Sequence, residues 1–126
     1  MTRFMYALLA ATVIAALPLS AQNAAPVWMY MLTWETPVAR GRLRCPHALE
    51  IPLVFDNVEK ARNFVGRGDE PQVVADQMSE AWLAFARTGD PGWRAYDAKS
   101  RATMIFDLES KVVEDPLSDV RKVLQG

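Results

Sequence analysis

Apolar positions fall into runs with different periods along the chain. Val27-Trp28-Met29-Tyr30-Met31-Leu32-Thr33-Trp34 is apolar at nearly every position and carries no charge and no Gly. That length and aromatic content predict a strand buried on both faces, as in a largely parallel sheet. Such a strand needs neighbours on both edges. Farther along, Val74, Met78, Ala81, Trp82 and Phe85 recur at helical spacing, while Asp76, Gln77 and Glu80 lie elsewhere on the cylinder. A helix over about Glu70 to Arg87 follows. Pro71 suits its first turn, and Gly89 followed by Pro91 ends it. Its aromatic stripe reads as packing, with Trp82 and Phe85 in a core. Thr103 to Phe106 and Lys111 to Val113 are two short strands around a hairpin turn, Asp107-Leu108-Glu109-Ser110.

The stretches between these runs are less decided. Glu35 to Pro46 is loop, broken by Pro37, Gly41 and Pro46. Ala48 to Phe55 is too short for periodicity to separate helix from extended chain. Asp56-Asn57 is a turn, Val58 to Val65 a helical turn, and Gly66 to Asp69 a break. Gly92-Trp93-Arg94-Ala95-Tyr96 is an aromatic loop. Leu117 to Leu124 predicts a terminal helix starting near Ser118 or Asp119.

The amino-terminal run is of another kind. Arg3 precedes an uncharged, almost wholly apolar stretch from Tyr6 to Leu17, and Pro18-Leu19-Ser20-Ala21 follows. A positive start, an apolar centre of about a dozen residues and a small-residue exit make a secretory signal peptide. The expected division is a leader over 1–21 and a mature chain over 22–126, secreted or periplasmic. The run is short of the about 20 residues that span a bilayer. Contact with a membrane follows only if the leader stays uncleaved, an alternative that bulky Leu19 keeps open.

The sequence has 126 residues, enough for one small domain, and its 51% apolar and 23% charged residues are a globular balance. A net charge of −1 excludes the basic surface that nucleic acid requires. Arg40, Arg42 and Arg44 read as a solvated loop. One Cys excludes an internal disulfide. One Cys and one His give no basis for a dedicated zinc site, and no cofactor is expected.

Candidate chemistry gathers at the only histidine, in Cys45-Pro46-His47-Ala48-Leu49-Glu50-Ile51-Pro52-Leu53-Val54-Phe55. An imidazole moves protons near neutral pH. In order, Pro26-Val27-Trp28-Met29-Tyr30, the His47 stretch, Met78-Ser79-Glu80-Ala81-Trp82-Leu83-Ala84-Phe85-Ala86-Arg87-Thr88-Gly89-Asp90-Pro91, Trp93-Arg94-Ala95-Tyr96-Asp97 and Thr103-Met104-Ile105-Phe106 resemble the carboxy-terminal region of bacterial type B carboxylesterases. The resemblance covers about residues 24–116. It implies a partial α/β-hydrolase fold: an incomplete α/β sheet with a histidine loop, an amphipathic helix and a late hairpin. It also implies ester hydrolysis through an acyl-enzyme, with His47 as the catalytic histidine and Glu50 as a structural residue of its loop.

A serine hydroxyl becomes an effective nucleophile only when a histidine takes its proton, and a carboxylate on the other ring nitrogen fixes that histidine. In α/β-hydrolases the order along the chain is Ser, then acid, then His. Here Ser20, Ser79, Ser100, Ser110 and Ser118 all lack the G-x-S-x-G surroundings of a nucleophile elbow, and no acidic residue precedes Glu35. The expectation is therefore a C-terminal, histidine-bearing portion of a secreted carboxylesterase, inactive alone. It takes ester substrate only when completed by the missing N-terminal portion. A Cys45–His47 thiol pair is the sharp chemical alternative. The competing functional reading is a non-catalytic exported interaction module. That module offers a protein partner the edge of the Val27–Trp34 strand and the Trp82/Phe85 helix face.

Overall fold

The computed structural model describes residues 25–125. The expected leader lies outside these residues. Strand β1 (Met29–Leu32) is followed by α1 (Glu50–Val54), a 3-10 turn (Val58–Ala61), α2 (Arg62–Val65) and α3 (Glu70–Thr88). Strands β2 (Ala102–Phe106) and β3 (Lys111–Glu114) and helix α4 (Ser118–Gln125) complete the order. The sheet runs β1-β2-β3. β1 pairs with β2 in parallel, Met29 opposite Thr103 and Leu32 opposite Phe106. β2 and β3 form the expected antiparallel hairpin, Ala102 opposite Glu114. A parallel pair requires a long crossover, and α1 to α3 supply it. This is a partial α/β fold with a mixed three-stranded sheet.

The long helix has the expected limits. Pro71 sits in its first turn, where its missing N–H removes no helical bond. Gly89 stands at φ +76°, a left-handed cap whose N–H donates to Phe85 O at 2.7 Å. Val74, Ala75, Met78 and Ala81 are buried. Pro52 lies in the first turn of α1, so the undecided stretch after His47 can be helical without losing a bond. Leu49, Leu53, Val58 and Val65 point into the same core as Trp34 and Phe106. Thus the crossover folds over one side of the sheet.

Two expectations are corrected. β1 is not buried on both faces: Tyr30 and Leu32 pack against the core, whereas Met29 on the opposite face is 40% exposed. Among the described residues its one hydrogen-bonded neighbour is β2, and helices cover one face only. The Trp82/Phe85 face is not open to a partner either. Trp82 meets Tyr30 edge-on at 4.9 Å, and Phe85 meets Trp28 at 5.6 Å. Rings in these edge-to-face arrangements bury large apolar areas, so this face is closed by the protein's own strand, and both residues are packing residues as expected.

Candidate active-site histidine

His47 sits between the C-terminal end of β1 and the start of α1. The intervening loop is pinned at several points. Trp34 is buried and its Nε1 donates to Glu70 Oε2 at 3.3 Å, tying the loop's start to α3. Thr36 is buried too, and its hydroxyl donates to Phe64 O at 2.8 Å. Thr36 N donates to Arg44 O at 3.0 Å and closes the loop across its neck. At the far end Leu49 is fully buried. Between these anchors the chain turns sharply: Leu49 N donates to Pro46 O at 3.1 Å, with Ala48 at φ +67°. Positive φ at the third residue is the mark of a type II turn, and for Ala it is strained by about 1–2 kcal/mol. His47 occupies the corner of that turn.

The imidazole is consequently exposed. It makes no hydrogen bond or ion pair with any other described residue. Ser79, Ser100, Ser110 and Ser118 are engaged locally: Ser79 donates to Asp76 O, Ser100 to Asp97, Ser110 to Asp107 O and Ser118 to Asp119. None is brought to His47, in line with their lack of an elbow sequence.

Cys45 is held at the end of β1. Its thiol donates to Leu32 O at 3.4 Å. Burial against the strand end, with the negative charges of Glu50 and Glu35 nearby, pushes its pKa above the ordinary thiol value. That suppresses the thiolate on which reactivity depends. Glu50 opens α1, where a carboxylate suits the positive end of the helix. Burial, and after it the charge of Glu50, likewise raises the Tyr30 phenol. Arg44 pairs with Glu35 at 2.9 Å at the surface, and Arg40 and Arg42 stay exposed. Among the described residues no three His, Cys, Asp or Glu side chains gather as metal ligands, and no helix is long and apolar enough to cross a membrane.

The loop anchors Thr36 and Trp34–Glu70 carried no local signal. Thr36 sits between Glu35 and Pro37 in a run that reads as loop. Only its depth beneath α2 shows that it is structural.

No family model matches the chain. Individual proteins do. A para-nitrobenzyl esterase of Bacillus subtilis is 36% identical over 79% of this chain and 22% of its own length. A phenmedipham hydrolase of Pseudarthrobacter oxydans is 32% identical over 74% of this chain and 21% of its own. Among solved structures, a carboxylesterase of Geobacillus stearothermophilus superposes with a TM-score of 0.65 at 40% identity, over 78% of this chain and 22% of that one. The chain is type B carboxylesterase-like and matches the C-terminal region of such enzymes. It spans about a fifth of the length of these carboxylesterase relatives. A para-nitrobenzyl esterase structure shares the fold at a TM-score of 0.69 and 34% identity, so the partial sheet is an α/β-hydrolase element.

Proposed function

We propose that this segment is the histidine-bearing C-terminal part of a carboxylesterase, with His47 as the general base of a Ser-acid-His mechanism. The observation that carries the proposal is the position of His47. It stands at the corner of a pinned, strained turn just beyond the carboxyl end of a parallel strand, with its imidazole free to serve a group from elsewhere. Active sites of open α/β sheets lie outside the carboxyl ends of the strands, and strained turns recur at functional positions. In the working enzyme Nε2 takes the serine proton during attack on the ester carbonyl. It then returns that proton to the leaving alcohol, leaving an acyl-enzyme that water hydrolyses through the same base. A carboxylate on Nδ1 fixes the tautomer.

Serine and acid both come from sequence other than these 126 residues, so the chain alone has no proton for His47 to take. Purified protein should hydrolyse p-nitrophenyl acetate and butyrate no faster than its His47→Ala variant. A rate abolished by His47→Ala would show that a nucleophile resides within the chain and would overturn this assignment.

A second reading, a non-catalytic interaction module, draws support from the unpaired edge of β1. The two readings part on one point: only the first requires the imidazole once the missing portion is present.

A further inference from the structure

The loop that carries His47 rests on the end of α2. Gly66, the first residue after that helix, stands at φ +90° and ψ −178°, a region of the backbone open in practice to glycine alone. It also has no room for a side chain. A Cβ there would stand 2.6 Å from Pro37 Cγ and 3.0 Å from Pro37 Cδ, whereas carbon atoms in contact sit about 3.5–4.0 Å apart. Gly68, two residues on, also has a positive φ, +96°, yet a Cβ there meets nothing within 4 Å. The close approach therefore belongs to Gly66 and not to the whole break between α2 and α3. The end of α2 is itself braced, since Arg62 Nη1 donates to Gly66 O at 3.4 Å and to Gly68 O at 2.9 Å.

The seat of Pro37 leads to the histidine. Beside it, buried Thr36 donates its hydroxyl to Phe64 O in α2. Pro37 O accepts from Gly41 N at 3.1 Å, and Thr36 N donates to Arg44 O across the neck of the loop at 3.0 Å. Cys45, Pro46 and His47 follow Arg44 directly. A displacement at Pro37 thus reaches the turn corner through one hydrogen bond and three residues.

We propose that Gly66 is a positioning residue for His47. By carrying no Cβ it lets the Pro37 ring seat against the end of α2, and that seat fixes how far the turn corner stands from the core. The inference rests on the reading of His47 given above, and Gly66 itself touches no reacting group. A methyl at Gly66 forces the ring outward by about 1 Å to restore contact distance. A misplacement of about 1 Å is enough to cost on the order of 100-fold in catalysis.

The test is NMR on the full chain, in which the one histidine gives unambiguous ring C–H signals. In Gly66→Ala these signals should shift. The Leu49 and Thr36 amides, which close the turn and the neck, should exchange about tenfold faster relative to the amides of α3. Adding Pro37→Ala removes the ring and leaves Val38 Cγ2, at 3.7 Å, as the nearest atom to the new methyl. The double variant should return the His47 signals and both amides to wild-type behaviour, although backbone strain at position 66 still lowers its urea midpoint. Gly68→Ala, which places the same methyl in open space, should leave the His47 signals where they are. The proposal is overturned if Gly66→Ala leaves those signals unmoved, if Gly68→Ala moves them as far, or if Pro37→Ala fails to restore them. Should Gly66→Ala not fold, Pro37→Ala alone, at an exposed position, carries the test: it empties the seat and should speed Leu49 exchange about threefold relative to α3, and indifference overturns the proposal. None of these readouts requires catalysis. If Gly66 governs the turn but His47→Ala leaves ester hydrolysis by the completed enzyme unchanged, the positioning stands and the general-base reading falls.

Discussion

Helices α3 and α4 carry the same kind of pattern and meet opposite fates. In α3 the apolar stripe of Val74, Ala75 and Met78 is wholly buried against the sheet and the crossover. In α4 no residue is buried, and Val120, Val123 and Leu124 stand 56%, 80% and 72% exposed. An amphipathic sequence fixes which face of a helix wants cover. It does not supply the cover. Helix α3 lies over the aromatic face of its own sheet, whereas α4 is held chiefly by the fork of Arg121 on Asp115, at 2.6 Å for the closest pair.

The contrast can be broken by substitution. Met78→Ala removes a fully buried side chain from the α3 stripe and should cost about 2–5 kcal/mol in urea unfolding. A loss under 1 kcal/mol would mean that the α3 interface is loose. Thr36→Val should come next, at about 1–3 kcal/mol, because it removes the donor that buried Thr36 supplies to the half-buried Phe64 carbonyl. Acid should act on α4 specifically. The hydrogen bond from Arg121, and then its charge and those of Arg101 and Lys122, hold the Asp115 carboxyl below the ordinary range. A depressed carboxyl stabilises the fold above its unfolded pKa of about 3.9 and loses that contribution as pH falls through the lower folded value. Amide protection factors in α4, taken against the intrinsic exchange rate at each pH, should therefore be level from pH 7 to 5 and fall below about pH 4, with no such step in Asp115→Asn. Val123→Ala should be the mildest, within about 0.5 kcal/mol, as for other exposed sites. A larger loss would show that α4 is covered in solution.

The elements that could be read from residues alone were those with their own punctuation. Helix α3 has Pro71 at one end and Gly89-Asp90-Pro91 at the other, and the β2–β3 hairpin is bounded by Asp107 to Ser110 and by Asp115-Pro116. The site was legible only in part. His47 stood out by chemistry and by the resemblance of its neighbours to a known loop. That it sits at a turn corner depends on Pro46 O, Leu49 N and the φ of Ala48, which no composition reveals. Thr36 was invisible because its partner is a carbonyl 28 residues away.

By itself the sequence determined local matters: which runs are apolar, where helices stop, and that one imidazole and one thiol are the only such groups available. Tertiary structure decided which of those surfaces are satisfied. It closed the Trp82/Phe85 face with Tyr30 and Trp28, left Met29 and α4 bare, turned Cys45 toward a carbonyl and His47 toward solvent. The reason is that burial and hydrogen bonding are properties of pairs. A residue's own chemistry states what it requires, and only the residues folded against it decide whether it is met.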